Sequence, residues 1–125
     1  MPVKVSVHQD VEYRNVAMRY ACMLEEWMNQ DILPSHFGHH GRWECNHQCN
    51  ASGIYKLHIR LPHEPGWSPG QRQAERKSDS YLVYARHWCD NRAQIISIMH
   101  PKAHEKSKST FLAILIQRAE DFQSS

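Results

Sequence analysis

The sequence predicts a single α+β domain over residues 1–125, a small antiparallel sheet with helices packed on one face, in the order β-α-(loop)-β-β-β-α. Three observations carry this. Short stretches after residue 53 alternate apolar and polar side chains with the period of a strand. Two longer stretches, one near each end, repeat their apolar residues every three or four positions, the period of an amphipathic helix. The length of 125 residues, with 41% hydrophobic and 22% charged, suits one globular domain that can bury a core without staples.

In chain order, Val3, Val5 and Val7 alternate with Lys4, Ser6 and His8, which reads as a half-buried strand over residues 3–8. Asp10 is placed to cap the helix that follows. Val16, Tyr20, Met23, Leu24 and Trp27 predict that helix over residues 11–29, with Arg14, Arg19, Glu25 and Asn29 on its opposite face and Trp27 and Met28 in the core. Leu33-Pro34 breaks it, because a proline disfavours helix in the residue before it. Residues 31–52 form a long connection, expected to be functional or to hold short structure of its own. Strands are expected over 54–61, 81–88 and 94–99, the last two joined by a hairpin link at 89–92. Between the first two lies a segment rich in Pro, Gly, Gln and charge, residues 62–80, which reads as a mobile loop. Pro101 ends the last strand. Phe111, Leu112, Leu115, Ala119 and Phe122 mark a final helix, with Ile114 and Ile116 widening its apolar side.

The net charge is only +2, but ten histidines make the positive charge adjustable near neutrality. No secretory h-region follows Met1, and the longest apolar run, Phe111 to Ile116, is far short of the ~18 residues of a membrane span. Cys22, Cys45, Cys49 and Cys89 read as reduced thiols. Together these predict a cytoplasmic protein with no membrane partner.

The strand at 54–61 is the most informative stretch. Tyr55, Leu57, Ile59 and Leu61 fall on one face, and Lys56, His58 and Arg60 on the other, as a comb with teeth roughly 7 Å apart. The following loop adds His63, Arg72, Arg76 and Lys77. Cleavage of RNA by its own 2′-hydroxyl needs a base, cations around the phosphorus and an acid for the leaving oxygen. A set of His, Arg, Lys and Tyr can supply all three without a metal or cofactor, while Tyr84 and Trp88 on the next strand are placed to stack a base. The same alternation also fits a plain solvated strand face. His36, His39, His40, Cys45, His47 and Cys49 form a second cluster whose Cys45-x-x-x-Cys49 spacing fits structural zinc loosely, with His39, Cys45 and Cys49 as its candidate ligands. The usual second ligand pair is missing, so surface histidines and reduced thiols are the ordinary reading. His100 and His104, with Lys106 and Lys108, form a cationic edge before the last helix.

Several motifs, in order, resemble those of YafO-type toxins of type II toxin–antitoxin systems: Leu33-Pro34-x-x-Phe37-Gly38, His58-Ile59-x-Leu61, Gln71-Arg72-Gln73 with Arg76 and Asp79, Leu82-Val83-Tyr84, and Pro101-x-x-His104. The resemblance runs from about Asp31 to Phe122. It implies a RelE-like architecture, ribosome-dependent endonuclease cleavage of mRNA that inhibits translation, and a cognate antitoxin partner. By position it points to His58, Arg72, Arg76, Tyr84 and His104 as catalytic residues and to Asp79 at the RNA. Lys56, Arg60 and Lys77 join the RNA-binding set from the strand face and loop. The loop from His39 to Cys49 departs from the family pattern. A non-catalytic RNA- or ribosome-binding module is the alternative.

Overall fold

The computed structural model describes residues 2–43 and 47–125. Five strands form one sheet: β1 (Lys4–Val7), β2 (Phe37–Arg42), β3 (Ile54–Ile59), β4 (Tyr81–Arg86) and β5 (Arg92–Met99), in the spatial order β1-β5-β4-β3-β2. Strands β2 to β5 pair antiparallel with their neighbours, whereas β1 lies parallel to β5, Lys4 opposite Arg92 and Val7 opposite Ile95. The sheet is therefore mixed, not wholly antiparallel. The three strands expected after residue 53 are present at nearly their expected bounds. The connection 31–52 supplies β2 and a short helix, α2 (His47–Ala51). Beside the long helices α1 (Arg14–Gln30) and α4 (Phe111–Gln123) stands one turn, α3 (Ala103–Lys106).

Strand alternation distributes the core on both faces. Leu82 and Tyr84 of β4 join Tyr20 and Leu24 of α1, with Leu57, Ile59 and Ile95, in one buried cluster. Tyr81, Val83 and Ala85, their neighbours in sequence, join Leu115, Ala119 and Phe122 of α4 in the other. The two long helices thus lie on opposite faces of the sheet, which corrects the expected packing on one face. A sheet buried on both sides needs apolar residues at successive positions, and β4 is buried from Tyr81 through Ala85. Each fully buried side chain such as Leu24 or Leu115 contributes about 2 kcal/mol by leaving water.

Helix α1 starts at Arg14, not 11, and Asp10 does not cap it. Tyr13 takes the flanking position in the left-handed conformation (φ 53°), with no side-chain cap. Glu25 and Asn29, expected on the solvent face, turn back to the outer edge of β1: Val3 N donates to Asn29 Oδ1 (2.7 Å), Asn29 Nδ2 donates to Val3 O (2.9 Å), and Val5 N donates to Glu25 Oε1 (2.9 Å).

The expected mobile loop, 62–80, is pinned. Arg76 is 4% exposed, and its guanidinium donates to the carbonyls of Gln71, Phe37, Pro34 and Ser68 at 3.0 to 3.4 Å. Its own carbonyl accepts from His39 N (2.8 Å), and Gln73 Nε2 donates to Gly38 O (2.9 Å), so the segment runs along the outer side of β2. Gly38 permits this approach, because a Cβ there would meet the Arg76 carbonyl oxygen and lie 2.9 Å from the Arg76 Cβ.

Candidate functional site

The end of β3, the Ser78–Ser80 turn and the residues after β5 come together because β3, β4 and β5 are adjacent. His58 lies opposite Tyr81 in β4, and Tyr81 opposite Met99 in β5. A cleft of about 340 Å³ opens there, lined by Arg60, Glu64, Lys77, Ser78, Asp79, Ser80, His100, Pro101 and Lys102. Three fixed cations, Arg60, Lys77 and Lys102, border it with the ring of His100, facing the carboxylates of Glu64 and Asp79.

His58 sits beside this cleft, 9% exposed. Its Nδ1 lies 2.9 Å from the Ser78 carbonyl oxygen and 2.8 Å from the Ser78 nitrogen. The imidazole either donates to the carbonyl or accepts from the N–H; the first tautomer leaves the lone pair on Nε2. Burial pushes the imidazole down to about 4, with His39, Lys56 and Lys77 adding in the same direction and the Ser78 hydrogen bond opposing them. His58 is therefore a neutral imidazole at neutral pH. The Tyr81 ring packs against it at 4.7 Å and the His39 ring edge-on at 5.6 Å. Lys56 extends the same face, its Nζ lying over the rings of Trp43 (4.9 Å) and Tyr81 (5.4 Å). Arg60 packs its guanidinium over Trp67 (4.8 Å). Lys56, His58 and Arg60 do share one face, on the side away from Leu57 and Ile59.

Asp79 uses its carboxylate to accept from the backbone N–H of His104 (2.9 Å), which fixes α3 against the turn. His104 itself is exposed on α3. Arg72 is also exposed, 82% by its side chain, and pairs with Glu75 at 2.6 Å. Arg76 is not at the cleft surface: its donors are committed to the four carbonyls already described. Tyr84 is parted from His58 as well. It belongs to the α1 side of the sheet, 3% exposed, with its hydroxyl 2.6 Å from His40 Nε2 and its ring stacked with those of His40 and Tyr55. Burial holds the Tyr84 phenol far above its usual range and the His40 imidazole below its own. Trp88 lies past the end of β4, 64% exposed, and does not stack with Tyr84.

Of the zinc candidates, Cys45 lies outside the described residues. His39 is drawn to His58, and Cys49 is buried in the α4-side cluster, where burial pushes its thiol up to about 11. Among the described residues no group of three or more His, Cys, Asp or Glu is arranged to hold a metal ion. No helix among them is long and apolar enough to cross a membrane.

Tyr81, Ser80 and Lys102 have no role in the sequence reading, and His39, expected only as a zinc ligand, packs against His58 instead. Their signal was positional: His58 pairs with Tyr81, and the residues just outside that pair line the cleft. Reading it requires the strand register.

A family model described as toxin YafO, type II toxin-antitoxin system, matches residues 25–124. No curated protein and no solved structure matches the chain.

Proposed function

The chain belongs to the YafO toxin family of type II toxin–antitoxin systems, and from that premise we propose that it is a ribosome-dependent mRNA endonuclease that inhibits translation and is held in check by a cognate antitoxin. The observation that carries this reading is the cleft at the Ser78–Ser80 turn: a neutral, half-tethered imidazole beside three fixed cations. A phosphodiester backbone can seat against Arg60, Lys77 and Lys102, which counter the charge that builds on phosphorus in the transition state. His58 Nε2 then takes the proton from the ribose 2′-hydroxyl. Lys56 lies along the same face as a further RNA contact, and exposed Arg72 and His104 are placed to meet RNA or ribosome outside the cleft. Arg76, Asp79 and Tyr84 serve by position: Arg76 and Asp79 hold the loop and α3, and Tyr84 holds the far side of the sheet.

The test is cleavage of message on purified, programmed ribosomes by wild type, His58→Asn and Arg72→Ala. Wild type is expected to cut. His58→Asn, which can keep the contact to Ser78, is expected to lose roughly a hundredfold or more in rate. Stalled but uncut message with wild type would replace this reading by a non-catalytic ribosome-binding one. Lack of cutting on naked RNA would not, because the ribosome can supply the orientation.

A further inference from the structure

We propose that His100 is the general acid that protonates the leaving 5′-oxygen, paired with His58 across the Ser78–Ser80 turn. The assignment rests on the RNA-cleavage reading and names the acid within it. Its basis is that both rings are anchored to the one turn. His58 Nδ1 is held by the Ser78 backbone, while Ser78 Oγ bonds the carbonyls of Ile59 (2.8 Å) and Ser80 (3.0 Å). Ser80 is 6% exposed, and its Oγ lies 2.7 Å from His100 Nδ1. Each histidine is therefore tethered through Nδ1, and neither Nε2 has a hydrogen bond among the described residues. With Nδ1–H donating to Ser80 Oγ, the protonated ring of His100 keeps its second N–H for the substrate.

Both histidines stand at the same end of the sheet. His58, Tyr81 and Met99 lie opposite one another on adjacent strands, so the two histidine backbones stand about two strand spacings, roughly 10 Å, apart. A scissile phosphate seated against Arg60 and Lys77 meets His100, which lines the cleft with them, while His58 stands behind the Ser78 backbone that forms the cleft wall. His100 is also braced from outside. Its carbonyl accepts from Tyr13 Oη (3.0 Å) and Lys106 Nζ (3.3 Å), and the Tyr13 ring packs edge-on against the imidazole at 6.0 Å. His104 has no comparable support, its side chain standing exposed on α3.

The step balances as a transesterification. His58 Nε2 removes the 2′-hydroxyl proton, the 2′-oxygen bonds to phosphorus, and the bond from phosphorus to the 5′-oxygen breaks. His100 Nε2 gives its proton to that oxygen, leaving a 2′,3′-cyclic phosphate and a 5′-hydroxyl; exchange with water resets both rings.

The experiment uses the whole protein on programmed ribosomes, with the 5′-oxygen at the wild-type cleavage position replaced by sulfur, a leaving group that needs no acid. With ordinary message, His100→Asn is expected to slow cleavage roughly a hundredfold or more. On the sulfur substrate it should recover to near the wild-type rate, while His58→Asn stays slow. Ser80→Ala, which keeps His100 but frees its ring, is the second arm; a smaller loss with the same recovery is expected. A wild-type rate for His100→Asn on ordinary message overturns the assignment and leaves the cleavage reading standing. So does equal slowness on both substrates, which is the mark of a structural role. Wild type that leaves ordinary message uncut overturns the cleavage reading itself.

Discussion

His58 ties fold stability to pH. Its imidazole titrates near 6.5 when exposed and near 4 when folded, so the unfolded chain binds its proton first. Stability held above pH 6.5 is therefore lost as pH falls toward 4, and His40, also lowered by burial, adds in the same sense. Urea midpoints are expected to drop across this window for wild type and to drop less for His58→Asn; identical pH profiles would show that burial of His58 carries no linkage. At Gly38 the constraint is steric. Gly38→Ala is expected to cost about 1–3 kcal/mol, because the added methyl must push back the Arg76 backbone. An unchanged thermal midpoint would mean that the loop yields freely.

The two arginines of the loop make a paired prediction for the element they share. Arg76→Lys is expected to lower stability by about 2–3 kcal/mol, since an ammonium cannot reach the four carbonyls that the guanidinium spans. Arg72→Ala is expected to change stability by less than about 1 kcal/mol, because its pair with Glu75 is solvated. Thermal melts decide, and equal losses would refute the division of roles. The loop also shows where the sequence was legible. Strands β3, β4 and β5 and both long helices could be read because their apolar periods are clean. Strand β2 could not, because Gly38-His39-His40-Gly41 carries no apolar alternation and sends its two histidines to opposite faces. Parity along one strand placed Lys56, His58 and Arg60 together. Parity between strands was hidden, because register across a long loop is not written locally, and so Tyr84 looked like a partner of His58 when it faces the other way. Arg76 looked like a phosphate ligand because the loop carbonyls that its guanidinium satisfies leave no mark in composition.

At the scale of the whole molecule, Glu12 and Arg118 join the approach to α1 with α4. Arg118, 8% exposed, bonds both carboxylate oxygens of Glu12 (2.8 and 2.9 Å) and the Ile96 carbonyl. Burial pulls the Glu12 carboxyl up, but hydrogen bonds from Arg118 and Ser97 outweigh it and hold it below its usual range. Glu12→Gln is expected to cost about 2–3 kcal/mol at pH 7, because a buried guanidinium loses its counter-charge. The difference from wild type should shrink below pH 4.5 as Glu12 protonates; a constant difference at all pH would point to packing instead.

The parallel seating of β1 against β5 has a bearing on how the chain is made. Ser6 and Gln94, which touch across that seam, are 88 positions apart. During synthesis the first strand must wait, helix α1 beside it, until nearly all later strands have left the ribosome. The same late arrival brings His100 to the turn that already carries His58. A partly synthesised chain is thus unfinished at its seam and at its cleft together, and both close only as the last strand docks.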